Sequence, residues 1–133
     1  MTEPPISIKG VLIRDGRVLL LLNERGEWDL PGGRPGPGED HRTTLCREVL
    51  EETGLVVDVG IPLGEHLFEV LPGRFVHIVA FACHLITDAE AALSAEHLDV
   101  RWLSLDQVGG GMIEGHRLPE GYLAAVKHAA RRT

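Results

Sequence analysis

Cysteine is nearly absent: Cys46 and Cys83 are the only two in 133 residues. So few thiols give no disulfide framework and no paired-thiolate metal motif, and both read as small buried apolar side chains. Long hydrophobic runs are missing too. The longest unbroken ones, Val18–Leu22 and Ile78–Cys83, fall far short of the roughly 18 residues that span a bilayer, so no membrane partner is expected. The opening MTEPPISIKG has no basic start followed by an apolar stretch; no secretory leader is read there, and a cytoplasmic location is expected. Positive charge is scarce: 13 Lys and Arg stand against 20 Asp and Glu, for a net charge of -7. That balance argues against a broad nucleic-acid footprint, so no nucleic-acid partner is expected, and a polyanionic ligand has to arrive with cations.

What is present is the composition of a globular chain, 44% hydrophobic and 25% charged, with no repeat or low-complexity tract, so residues 1–133 are expected to form a single domain. Ile6–Arg14 and Arg17–Asn23 are apolar, β-rich runs around Asp15-Gly16, a dipeptide suited to a two-residue hairpin turn. Trp28–Leu30 reads as a short extended piece before PGGRPGPGE, too rich in Gly and Pro for helix or strand to persist. Asp40 is placed to cap a helix over Arg42–Thr53 that Gly54 ends. Leu55–Val70 and Arg74–Ile86, joined by Pro72-Gly73, read as strands, and Leu98–Leu103 as a shorter one after a loop. A helical turn starts at Asp106, Gly109–Gly111 break it, and Pro119–Arg131 reads as a C-terminal helix. Strands outnumber helices without βα alternation, which predicts an α+β sandwich of helices over a mixed sheet.

On the first helix Glu48, Glu51 and Glu52 fall within one arc about 100° wide, while Leu45, Cys46, Val49 and Leu50 take most of the other side and should face the core. Like charges at Glu48 and Glu52, four residues apart, repel, so the cluster calls for a cation. Hard divalent ions such as Mg2+ take oxygen ligands of this kind, and the preceding Gly-rich loop lets backbone approach metal and phosphate closely. Metal-assisted hydrolysis of a phosphoanhydride is the matching chemistry.

Gly33, Glu39 and Arg47-Glu48-Val49-Leu50-Glu51-Glu52-Thr53-Gly54-Leu55 resemble the Nudix box, GX5EX7REUXEEXGU with U aliphatic, at every specified position. Trp28-Asp29-Leu30-Pro31-Gly32-Gly33 is similar to the family's usual lead-in. The resemblance implies the Nudix fold, an αβα sandwich around a mixed β-sheet, and a MutT-like hydrolase that uses Mg2+ or Mn2+ to cleave a nucleoside diphosphate linked to some moiety X. It further implies Glu51 and Glu52 as metal ligands, Glu48 as a ligand or the base that activates water, and the Gly32 carbonyl as another ligand. Arg47 would hold the glutamates by ion pairing, with Gly33, Glu39 and Gly54 structural or outer-shell. Glu96, six residues before Trp102, lies where relatives often place one more metal-binding or basic glutamate; a solvated loop carboxylate is the alternative.

Other residues carry less. Trp28 is read as core ahead of a base-stacking platform; Arg25 and Arg34 flank the loop and could meet phosphate. The seven histidines show no HExxH or paired zinc spacing, so neutral core or surface roles are expected for each, with His77 and His97 the two singled out. Phe75, Val79, Phe81, Cys83 and Leu85 alternate as a core-facing strand. The expected substrate is a small-molecule nucleotide, first a nucleoside triphosphate. ADP-ribose or a nucleotide sugar is the alternative: ADP-ribose members tend to carry a Pro near the position of Pro72, whereas the Tyr typical of diadenosine polyphosphate members is missing there, Tyr122 being the single tyrosine. A non-catalytic nucleotide sensor should have lost motif glutamates, and none is lost. The apolar β-edge after Leu55 offers a surface for a homodimer.

Overall fold

The computed structural model describes residues 3–132. Its centre is β1 (Ile6–Arg14), a strand buried on both faces. Asp15 and Gly16 both take positive φ, 52° and 74°, and turn it into β2 (Arg17–Leu22) with Ile13 opposite Val18, the hairpin its turn dipeptide predicts. Ile6–Leu12 run parallel to β6 (Arg74–Leu85), and on the other edge of β1 Ile8 and Lys9 pair with β4 (Gly32–Gly33). β5 (Val57–Leu71) runs antiparallel to β6 and forms the outer strand, while β2 carries β3 (Trp28–Asp29) and β7 (Asp99–Ser104). The sheet is therefore mixed.

Alternation along β1 divides the interior in two. Ile8 and Leu12 join Leu19, Val79 and Cys83 beneath α1 (His41–Thr53). Val11, with Leu20 and Ile78, faces α3 (Glu120–Ala130) through Tyr122, Ala125 and Val126. This is the αβα sandwich expected from the sequence. Asp40 caps α1 by accepting from the Thr43 N–H at 2.8 Å, and Gly54 ends it at φ 74° with its N–H on the Leu50 carbonyl, as its sequence predicts. α2 is one turn, Leu105–Val108, held by a reciprocal Ser104–Gln107 capping box. No helix among the described residues is long and apolar enough to cross a membrane.

Four expectations need correction. The glycine-rich loop does hold a strand, β4, because a strand of two residues needs only partners, and β1 supplies them. A second short hairpin, β8 (Met112–Ile113) with β9 (His116–Arg117), follows the Gly109–Gly111 break; runs this short carry no periodicity to read. On α1, Leu50 is 51% exposed while Thr44, Thr53 and Glu52 are buried, so the helix is rotated relative to its apolar stripe. Thr53 meets this by bonding its hydroxyl to the Val49 carbonyl at 2.7 Å. Phe75 is also exposed, because β6 pairs with β1 only from His77 onward.

That rotation is measurable by chemical denaturation. Leu45, fully buried under the sheet, should cost roughly 2–5 kcal/mol when cut to alanine, whereas Leu50→Ala should cost below about 1 kcal/mol. Equal losses would put Leu50 back in the core.

Candidate active site

β4 is two glycines: at Gly32 the sheet backbone leaves no room for a side chain, and at Gly33 one would displace the Glu48 carboxylate. Gly32 has φ 143°, and a Cβ there would run into the Ile8 carbonyl; at Gly33 a Cβ would lie 2.5 Å from the carboxyl carbon of Glu48. The loop backbone is thus pressed against a helix carboxylate, which is the physical content of glycine at that spacing from Glu48. The helix supplies the remaining groups in order along two turns.

Arg47 gathers them. Its guanidinium grips Glu39 with two bonds, Nε to Oε2 at 2.7 Å and Nη2 to Oε1 at 2.8 Å, and donates to Glu48 at 3.0 Å, Glu51 at 3.2 Å and the Arg34 carbonyl at 3.2 Å. Glu39 also accepts from the Gly36 N–H at 2.8 Å, and these bonds, Arg47's first, hold its carboxyl down at about 2. The same carboxylates push the Arg47 guanidinium well above its ordinary range. Bidentate Arg–carboxylate geometry makes this a rigid brace between loop and helix.

Glu52 stands apart. It is 8% exposed, turned inward, with Oε1 accepting from the Gly32 N–H at 2.8 Å. Burial pushes its carboxyl up to about 7; the charges of Glu48 and Asp29 add to the rise, while the Gly32 N–H and Lys9 oppose it. Lys9 is itself buried, its Nζ 3.2 Å from both Asp29 Oδ1 and the Leu30 carbonyl. The other Glu52 oxygen lies 3.7 Å from His97 Nε2. His97 sits on the loop after β6, which is tied to the helix end by Ala92 N–H on the Thr53 carbonyl and to β2 by Leu98 N–H on the Leu22 carbonyl, both 2.8 Å. Burial holds its imidazole below the ordinary range.

The structure therefore brings together Gly32, Gly33, Glu39, Arg47, Glu48, Glu51 and Glu52, with Gly54 as the helix stop. It does not bring in Glu96, whose residue is exposed; its neighbour His97 meets Glu52 instead. Trp28 is core, 1% exposed with Nε1 on the Ile113 carbonyl at 3.0 Å. Arg25 leans on Glu27 and lies over Phe68, and His77 pairs with Glu65. Sequence reasoning misses Lys9, reads Asp29 only as part of the loop's lead-in, and singles out His97 among the histidines without giving it a site role. A lysine in the middle of an apolar strand is the one signal that could have flagged Lys9.

Does this cluster suit a cation? One guanidinium faces the carboxylates Glu39, Glu48 and Glu51, and Glu52 is buried beyond its reach. Negative charge is in excess and oxygen donors dominate. Among the described residues no three His, Cys, Asp or Glu side chains converge as a finished cage, since Arg47 draws Glu48 and Glu51 to itself while Glu52 turns to Gly32. The donors fit a hard divalent ion that competes with Arg47 for them.

Comparison with known proteins points the same way. The NUDIX domain model matches residues 4–125. A MutT-like protein of Streptomyces ambofaciens is 36% identical over 118 residues, covering 85% of this chain and 74% of that one. The CTP pyrophosphohydrolase of Escherichia coli is 32% identical over 106 residues, 75% and 76% of the two chains. The crystal structure of a MutT protein from Methanosarcina mazei superposes with a TM-score of 0.80 at 30% identity, over 99% of this chain and 97% of that one.

Glu52 gives the metal-free protein a pH signature. Its folded carboxyl titrates above the ordinary 4.5, so the folded state binds the extra proton, and the stability this confers is full below about 4.5 and lost as pH rises to about 7. The loss at pH 8 amounts to at most about 3 kcal/mol. Glu52→Gln should keep the Gly32 bond and be the more stable protein above pH 7, with the gap closing below pH 5, in thermal melts with chelator. A variant less stable than the parent at pH 8 would contradict this electrostatic picture.

Proposed function

Since the chain belongs to the Nudix family of hydrolases, which cleave phosphoanhydride bonds of nucleotide derivatives, we propose that it is a nucleoside triphosphate pyrophosphohydrolase formed as one domain over residues 1–133. The observation that carries this reading is the complete set of motif carboxylates against the backbone of Gly32 and Gly33, Glu48 and Glu51 held by Arg47 and Glu52 by the Gly32 N–H. A sensor without activity has no use for an Arg47 brace that aligns three glutamates.

Glu48, Glu51, Glu52 and the Gly32 carbonyl would hold Mg2+ or Mn2+, which when bound neutralises phosphate oxygens and acidifies water. The chain's own part is positional. Glu39 holds Arg47, Arg47 holds Glu48 and Glu51 in register, and the Gly32 N–H fixes one oxygen of Glu52 so that the other stays available. Glu48, half-buried against Gly33, serves as ligand or takes the proton of the water that attacks phosphorus in line. Glu96 is left out of the proposed ligand set because its neighbour His97 is the residue of that loop that faces Glu52.

Likeness to a CTP pyrophosphohydrolase over three quarters of both chains supports a triphosphate substrate. The hint toward ADP-ribose is accounted for locally: Pro72 and Gly73, the latter at φ 75°, are the turn between Leu71 and its partner Arg74. Tyr122 is core, its phenol pushed up by burial. A cytoplasmic location suits such a substrate.

Release of phosphate and pyrophosphate from nucleoside triphosphates, ADP-ribose, nucleotide sugars and dinucleoside polyphosphates, with Mg2+ and with Mn2+, tests the assignment. Triphosphates should lead; Glu52→Gln should lose at least about a hundredfold in kcat with the fold kept, and Glu96→Gln should stay within about twofold. Preference for ADP-ribose would overturn the substrate, and normal turnover by Glu52→Gln would overturn the site.

A further inference from the structure

We infer that His97 is a nitrogen ligand to the divalent ion held by Glu52, and that it shifts the site's preference from Mg2+ toward Mn2+ and the later first-row metals. The inference rests on the metal-dependent reading above and adds to it a residue outside the motif.

Three observations carry it. The His97 and Glu52 side chains are only 10% and 9% exposed, and their facing atoms, Nε2 and Oε2, stand 3.7 Å apart. That is too long for a hydrogen bond, yet inside the span of roughly 3.0–4.2 Å open to two donors that each bind one ion at about 2.1 Å. The rest of both groups is already committed. Glu52 Oε1 takes the Gly32 N–H at 2.8 Å, and His97 Nδ1 lies 3.2 Å from Ser94 Oγ. Ser94 Oγ also accepts from the Glu96 N–H at 3.4 Å. Its second lone pair is open to Nδ1–H, and in that tautomer the Nε2 lone pair faces Glu52. Imidazoles that ligate metal are oriented in this way by a bond at the second nitrogen. Finally, the loop is tied at both ends, Ala92 to Thr53 beside Glu52 and Leu98 to Leu22, so the ring is held to the site by the backbone. An imidazole in an otherwise oxygen-lined site favours Mn2+ and its heavier neighbours over Mg2+, which binds oxygen by strong preference.

Pulsed EPR of Mn2+ bound to the full chain reads the ligand directly. The wild type should show the nitrogen-14 coupling of a directly bound imidazole; uniform nitrogen-15 histidine labelling should convert it. His97→Gln should abolish the coupling and weaken Mn2+ binding by about tenfold or more while leaving Mg2+ affinity within about threefold. His97→Glu should raise Mg2+ affinity relative to Mn2+. Mn2+ that binds the wild type without nitrogen coupling, or with a coupling unchanged in His97→Gln, overturns the inference and leaves His97 as a neighbour of Glu52. The wild-type spectrum decides this even if a variant fails to fold. A separate failure belongs to the underlying reading: if Glu52→Gln does not weaken Mn2+ binding, the metal is not at this site, whatever its ligands.

Discussion

Everything at this site depends on how closely α1 approaches the two-residue strand β4. A Cβ on any other residue at position 33 would lie 2.5 Å from the carboxyl carbon of Glu48, and position 32 is closed to side chains by the Ile8 carbonyl. That contact sets the depth at which Glu48 and Glu52 sit, and it requires the sheet on one side and the helix on the other to be placed first. Ile8, Leu45 and Val49, all fully buried, do that placing. Core packing and catalytic geometry are here the same constraint, since a shift of the helix by a few tenths of an ångström would open or close the gap over β4.

The helix meets the resulting electrostatic problem in two ways. Glu39, Glu48 and Glu51 are half-buried or exposed, and Arg47 compensates them through the guanidinium. Glu52 cannot be reached by that group and lies under the loop instead, where its carboxyl rises to about 7. A protein selected for stability alone would have an amide or an apolar group there. Keeping a carboxylate means that above about pH 7 the buried charge costs stability unless a cation stands beside it.

Much of this was legible in the sequence, and the reasons differ by element. The β1–β2 turn, the Asp40 cap and the Gly54 stop are local chemistry, readable from a few neighbouring residues. The motif glutamates were legible because their spacing is fixed by one helix. The rotation of that helix was not, since burying Glu52 in place of Leu50 is decided by the loops and sheet packed over it, and no periodicity in α1 records them. The short strands β4, β8 and β9 were hidden for a related reason: two residues become a strand only when a partner from elsewhere in the chain lies alongside.

His97 shows where such reading stops. Its loop carries a carboxylate and an imidazole side by side, and the family resemblance points to Glu96 because relatives often place a further glutamate there. Which of two adjacent residues faces inward depends on the turn at Ser94, where the His97 N–H bonds the Ser94 carbonyl at 3.3 Å, and on the ties to Thr53 and Leu22. Adjacent side chains on such a turn diverge, so turning His97 toward Glu52 leaves Glu96 in solvent. The motif helix supplies the oxygens common to the family, and the loops that close over it decide what else the metal and the substrate meet. Which side chain stands beside Glu52 is thus decided in the segments with the least sequence pattern, where a turn at Ser94 sets one of two adjacent residues inward and the other outward.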